Sequence, residues 1–238
     1  MPESVCKIKM RLIIRLASFF ILLPAAFRCA SDEHFAVAER NYFPLQTGMF
    51  WDYRVEETLY RAFTPPEDRN YDLRVIVIDS IAGTDGGTVY ILHRYVRSNE
   101  GPWQFQETWS ARLYGGYVII TEGNTSYARL ALPVYEGRTW NGNLFNNLPA
   151  DTYRITRFLP EFRISESLSF ADAIEVEQEN VTTNLTYRDV RHEVYADRIG
   201  LVFKESEVWT YRCGGGICTG EIENGYHLRQ KLLHFGHE

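Results

Sequence analysis

Histidine and cysteine are scarce in this chain, 6 and 4 among 238 residues. It has no His-Glu-x-x-His helix and no paired Cys-x-x-Cys knuckles, so no metal site is expected. A Gly-x-Ser-x-Gly elbow, a Walker loop and a dinucleotide fingerprint are also missing, and no cofactor is expected. Cationic side chains are outnumbered 25 to 31, for a formal charge of −6. Residues 1–28 hold five cationic groups and one anionic, so the chain without them carries −10. A field of that sign repels phosphate backbones and excludes nucleic acid as the expected partner. Residues 16–27 form an uncharged apolar run that contains Pro24 and is too short to cross a bilayer comfortably.

That run follows Lys7, Lys9, Arg11 and Arg15, the arrangement of a secretory leader over residues 1–28. Cys29 comes directly after it, ahead of Ala30-Ser31-Asp32-Glu33. This resembles a bacterial lipoprotein acylated at its first mature cysteine, although Arg28 stands where a small residue is usual. Lipidation at Cys29 would place the protein in the bacterial envelope as an outer-membrane lipoprotein, held by an N-terminal lipid anchor and a polar tether over 29–40. Cleavage near Ala30 or Ser31 would instead leave a periplasmic or secreted protein. Cys213 and Cys218 bracket a Gly-rich loop, and in an oxidising compartment they are expected to form a disulfide.

Aromatic residues are abundant, at 15 Tyr, 14 Phe and 5 Trp, and favour pleated, half-buried surfaces. Short apolar–polar alternations between Gly, Asn, Asp and Pro punctuation predict strands at 49–60, 72–79, 88–97, 103–113 and 117–121. Further strands are expected at 153–158, 174–179, 184–194, 200–204, 207–212 and 225–234, with a helical segment within 160–173. The expected fold is all-β: one β domain over 41–238, a single antiparallel curved sheet forming a half-barrel or barrel, with a β-sandwich as the alternative.

Pro44-Leu45-x-x-Gly48-x-x-Trp51 recurs as Pro133-Val134-x-x-Gly137-x-x-Trp140. Two related halves or one recurring strand-entry device would both account for it, and the device is the simpler reading. The opening Tyr42-Phe43-Pro44-Leu45-x-x-Gly48-x-x-Trp51-x-Tyr53 and the segment Val194-Tyr195-Ala196-Asp197-Arg198-Ile199-Gly200-Leu201-Val202 resemble uncharacterised bacterial envelope lipoproteins. The resemblance implies a curved, lipoprotein-carrier-like sheet and an envelope location. It transfers no catalytic residue. Arg198 takes the place of a glycine usual there.

By period two, Trp103, Phe105, Glu107 and Trp109 share one face, a possible ligand groove. It would take an apolar ligand if enclosed, or stack on a glycan if open; a plain core face is the ordinary alternative. His192 and Glu193 are adjacent in a strand and should point to opposite faces. The expected role is a binding or assembly module of the envelope. The alternative is a carbohydrate-active enzyme that uses a carboxylate such as Glu107, paired with Asp52 or Glu56, in an aromatic cleft.

Overall fold

The computed structural model describes residues 40–238; the expected leader over 1–28, Cys29 and the expected tether as far as residue 39 lie outside them. The strands are β1 (Met49–Tyr60), β2 (Glu67–Ala82), β3 (Thr88–Arg97), β4 (Gln104–Tyr114), β5 (Tyr117–Glu122) and β6 (Thr125–Ala131). They continue as β7 (Thr139–Asn141), β8 (Thr152–Ser165), β9 (Leu168–Val181), β10 (Tyr187–Ala196), β11 (Gly200–Gly214) and β12 (Ile217–His237). All belong to one antiparallel sheet in the order β6-β5-β4-β3-β2-β1-β12-β11-β10-β9-β8-β7. The fold is therefore a single barrel-like sheet, and the β-sandwich alternative does not apply.

Each half of the chain is a meander of hairpins, and β1 pairs with β12 to join the halves. The two free edges meet: Ala128 N donates to Gly142 O at 2.8 Å, and Asn146 Nδ2 to Ser126 O at 2.9 Å. That contact all but closes the barrel and shields the unpaired edge groups of β6. The interior holds two buried apolar clusters. One is built on Trp51, Tyr53, Leu73, Leu92 and Leu232, the other on Leu130, Trp140, Tyr153, Ile155 and Tyr195.

The segment expected to be helical is instead the tip of the β8–β9 hairpin, where Phe162 pairs with Phe170. Pro160 has no N–H to give the ladder, and Asp172 takes a left-handed φ of 50°. Phe162 lies 5.6 Å from Phe203 and Phe170 6.4 Å from Phe235, ring centre to ring centre. Other expectations need correction: the strands expected at 153–158, 174–179 and 225–234 run over Thr152–Ser165, Leu168–Val181 and Ile217–His237. The strand expected at 72–79 runs over Glu67–Ala82, the two expected at 200–212 are the single β11, and β6 and β7 were not foreseen. Long strands are what a barrel wall requires. β7 is three residues long and β6 is rich in alanine, so neither carries a readable alternation.

The repeated Pro-x-x-x-Gly-x-x-Trp segment is the same device twice. Gly48 and Gly137 hold φ of 91° and 86°, the left-handed region glycine enters without strain. Gly48 N donates to Val77 O in β2 at 2.7 Å, and Gly137 N to Ile155 O in β8 at 2.8 Å. The tryptophan three residues on is buried in each case. Trp51 Nε1 donates to Ile199 O at 2.6 Å and Trp140 Nε1 to Ala128 O at 2.8 Å.

Two outcomes follow for stability. Trp51→Ala and Trp140→Ala should each cost about 3–5 kcal/mol, because each removes a buried ring and leaves a carbonyl unpaired; unchanged denaturation midpoints would contradict this. Arg198 is held at φ 60° with its side chain largely in solvent. Arg198→Gly should therefore stabilise the protein by roughly 0.5–1 kcal/mol. A lower urea midpoint in that variant would show that the turn depends on the arginine side chain.

Candidate functional site

The barrel interior holds a partly open cavity of about 180 Å³. Its wall is apolar along β1 and its neighbours, with Trp51 and Tyr53 from β1, Tyr71, Leu73 and Val75 from β2, and Leu92 from β3. These side chains alternate with outward-facing ones, as period two requires. The lining from β5, β6, β10 and β11 is polar: Glu122, Arg129, Glu193 and Lys204 carry charge there, beside the Tyr195 phenol.

Glu193 is the centre of that polar lining, with its side chain only 3% exposed. It accepts a hydrogen bond from Tyr195 Oη at 2.5 Å, and Lys204 Nζ lies 3.3 Å and Arg129 Nη1 3.7 Å from its other oxygen. Arg129 also pairs with Glu122. Burial acts to raise the Glu193 carboxyl, but Lys204, Arg129 and the tyrosine hydroxyl outweigh it and hold the group below the usual carboxylate range. Burial opposes the charge on Arg129 as well, and Glu193 and Glu122 more than restore it. The phenols of Tyr53 and Tyr195 are pushed up by burial and by the Glu193 charge, so both stay neutral donors. Tyr153 is pushed up to about 12, mainly by burial.

Two bulges reset which side chains face inward. Val118 pairs with Leu130 and Ile119 with Ala128, which leaves Arg129 as the extra residue of β6. In β4, Glu107 pairs with Arg94 and Phe105 with Tyr95, so Gln106 is extra and the alternation resets. The proposed groove is split by this bulge. Glu107 meets Arg94, and Trp109 lines the cavity with the Arg94 guanidinium 3.9 Å from its ring centre. Phe105 lies on the other face, 5.1 Å from His93 and 5.7 Å from Tyr95. Trp103 precedes β4 and lies beside Arg74 and Arg97, at 5.0 and 4.3 Å. Trp103, Phe105, Glu107 and Trp109 therefore do not form one stripe. Period two fails across a bulge that composition does not signal.

The carboxylates considered for catalysis do not meet. Asp52 is gripped by Arg74 at 2.7 and 2.8 Å on the face away from the cavity, and Glu56 pairs with Lys231. His192 and Glu193 do part to opposite faces: the imidazole lies beside Phe203 while the carboxylate enters the cavity. Glu205, Glu207 and His227 are close enough to surround a cation. Glu205 is already paired with Arg229 at 2.6 Å and Glu207 with Arg188 at 2.5 Å, so a metal would have to displace two guanidinium groups. Cys213 and Cys218 are bonded at the tip of the β11–β12 hairpin. Cys29 lies outside the described residues.

The buried charges predict acid sensitivity. A carboxyl held below its unfolded value contributes stability above about pH 4.5 and loses it as pH falls through the folded-state value. Glu193→Gln should cost about 3–5 kcal/mol at pH 7, since it strands Arg129 and Lys204. It should also flatten the fall in stability below pH 4.5. Equal acid slopes for the variant and the parent protein would assign the acid loss to other groups.

No known family profile matches the chain, and no curated protein does. Two solved structures are similar to it. One is a protein assigned as exported, with a YmcC-like fold, from Bacteroides fragilis, with a TM-score of 0.45 and 14% identity over 83% of this chain and 99% of the other. The other is a protein assigned as a lipoprotein from Parabacteroides distasonis, with a TM-score of 0.42 and 12% identity over the same shares. Likeness at this level adds nothing to what the strand pairing already establishes.

Proposed function

We propose that the chain is an exported binding module of the bacterial envelope, anchored to the outer membrane through Cys29, whose barrel interior takes a small, largely apolar ligand. The observation that carries the ligand is the cavity of about 180 Å³ with its Trp51, Tyr53 and Leu73 wall. Close-packed interiors leave few voids larger than a water molecule, and a filled core would have closed this one. Export is supported by the basic and apolar leader and by a disulfide that requires an oxidising compartment. Anchoring is supported by Cys29 at the end of that leader, since acyl chains contribute about 0.8 kcal/mol per buried CH₂.

The hydrolase alternative has less support. A general acid needs a carboxyl raised toward neutral pH, and Glu193 is held the other way. Glu107 is neutralised by Arg94.

Intact mass of the envelope-purified protein tests the anchor: Cys29 plus acyl groups is expected, and an unmodified start at Ala30, Ser31 or Asp32 would overturn it. The ligand is tested separately on a Cys29→Ser protein, so that the anchor's own lipid is absent. Organic extraction followed by mass spectrometry should release a near-stoichiometric apolar molecule. Re-adding that molecule should raise the melting temperature, by about 2.7 kcal/mol of stabilisation at a hundredfold excess over Kd. A clean extract and an unresponsive melting curve across apolar probes would refute the ligand reading.

A further inference from the structure

We infer that the ligand of this cavity is an amphiphile with a single carboxylate head, seated at Arg94, with its apolar body along Trp51, Tyr53 and Leu73. This rests on the reading of the cavity as a ligand site and names the ligand's chemistry. The lining carries three cations, Arg94, Arg129 and Lys204, against two anions, Glu122 and Glu193. Arg129 and Lys204 are committed to the buried carboxylates. Arg94 is not. Its carboxylate partner is Glu107, which is outside the cavity wall and 38% exposed, while Arg94 itself is 15% exposed. A ligand carboxylate would replace Glu107 on the guanidinium while Glu107 turns into solvent, so that no buried cation is left unpaired.

The same corner has donors in excess of acceptors. Arg94 Nε and Trp109 Nε1 are both buried without a hydrogen-bond partner, and the two side chains are stacked on each other. Unpaired buried donors are rare in native proteins and mark places where an acceptor belongs. A carboxylate offers two coplanar acceptor oxygens that match the guanidinium edge, and one negative charge takes the place of Glu107 on Arg94. A dianionic head would bring one charge too many. A cationic head would face Arg94 and Lys204.

Binding of decanoate, decanol and decyltrimethylammonium to the lipid-stripped Cys29→Ser protein separates the possibilities, read by titration calorimetry and by quenching of the cavity tryptophans. Decanoate should bind about tenfold tighter than decanol, and the ammonium probe weakest. Glu107→Gln removes the competing carboxylate and should tighten decanoate a few-fold without affecting decanol. Arg94→Met should abolish the preference for decanoate while decanol still binds. If Arg94→Met does not fold, the three-probe comparison and Glu107→Gln decide the matter alone. Equal affinity for decanoate and decanol would overturn the carboxylate head and leave an apolar cavity site. Tighter binding of the ammonium probe would overturn it as well. Failure of all three probes would count against the cavity reading itself.

Discussion

The ion cluster around Glu193 is the constraint on which the barrel interior depends. Its members come from both meanders: Glu122 and Arg129 from β5 and β6, Glu193 and Tyr195 from β10, Lys204 from β11. Each charge is tolerable inside only while the others are present, because an unpaired ion in that setting is far more costly than a neutral group. The cluster therefore works as a register lock. Sliding either half by one residue would send Glu193 outward and strand Arg129. Hydrophobic residues of the same volume would fill the space as well or better but would specify the register less sharply. Retaining charge there is consistent with an interior that does more than pack.

The sequence is readable where one face of a hairpin is buried and the other is wet. Strands β1 and β3 are where alternation puts them, and His192 and Glu193 diverge as adjacent strand residues must. It is least readable at bulges. Nothing in Gln104 to Trp109 announces that Gln106 is extra, so Phe105 and Glu107, expected on one face, lie on two. Arg129 enters the interior by the same means. Glu193 left a trace that could have been followed, since it is a lone carboxylate running directly into Val194-Tyr195-Ala196, all of which are buried. An acid at the edge of a fully apolar run needs a partner, and the sequence alone does not say where that partner comes from.

The two strand-entry segments show how much structure a sparse motif can carry. Only proline, an aliphatic residue, glycine and tryptophan agree between them, yet the turn, the hydrogen bond to the following strand and the buried indole all recur. The intervening residues differ, although Met49 packs against the core and Phe50 lies under the Arg74 guanidinium. Each device begins one six-stranded meander, so the two halves share an entry although their later strands differ in length and register.

The pairing of β1 with β12 has a kinetic consequence. Every other neighbour pair in the sheet is joined by a short connection, so each meander can assemble from local contacts as it is made. Met49 meets His237 across almost the whole length of the chain, and that loop must be closed before the joint rewards it. Until β12 has emerged, the amino-terminal meander carries β1 as a long exposed edge of twelve residues with Trp51, Tyr53 and Val55 unburied on the open side. Such an edge is a template for pairing with any other extended chain. A chain built this way gains from any arrangement that keeps β1 apart from other extended chains until β12 is complete.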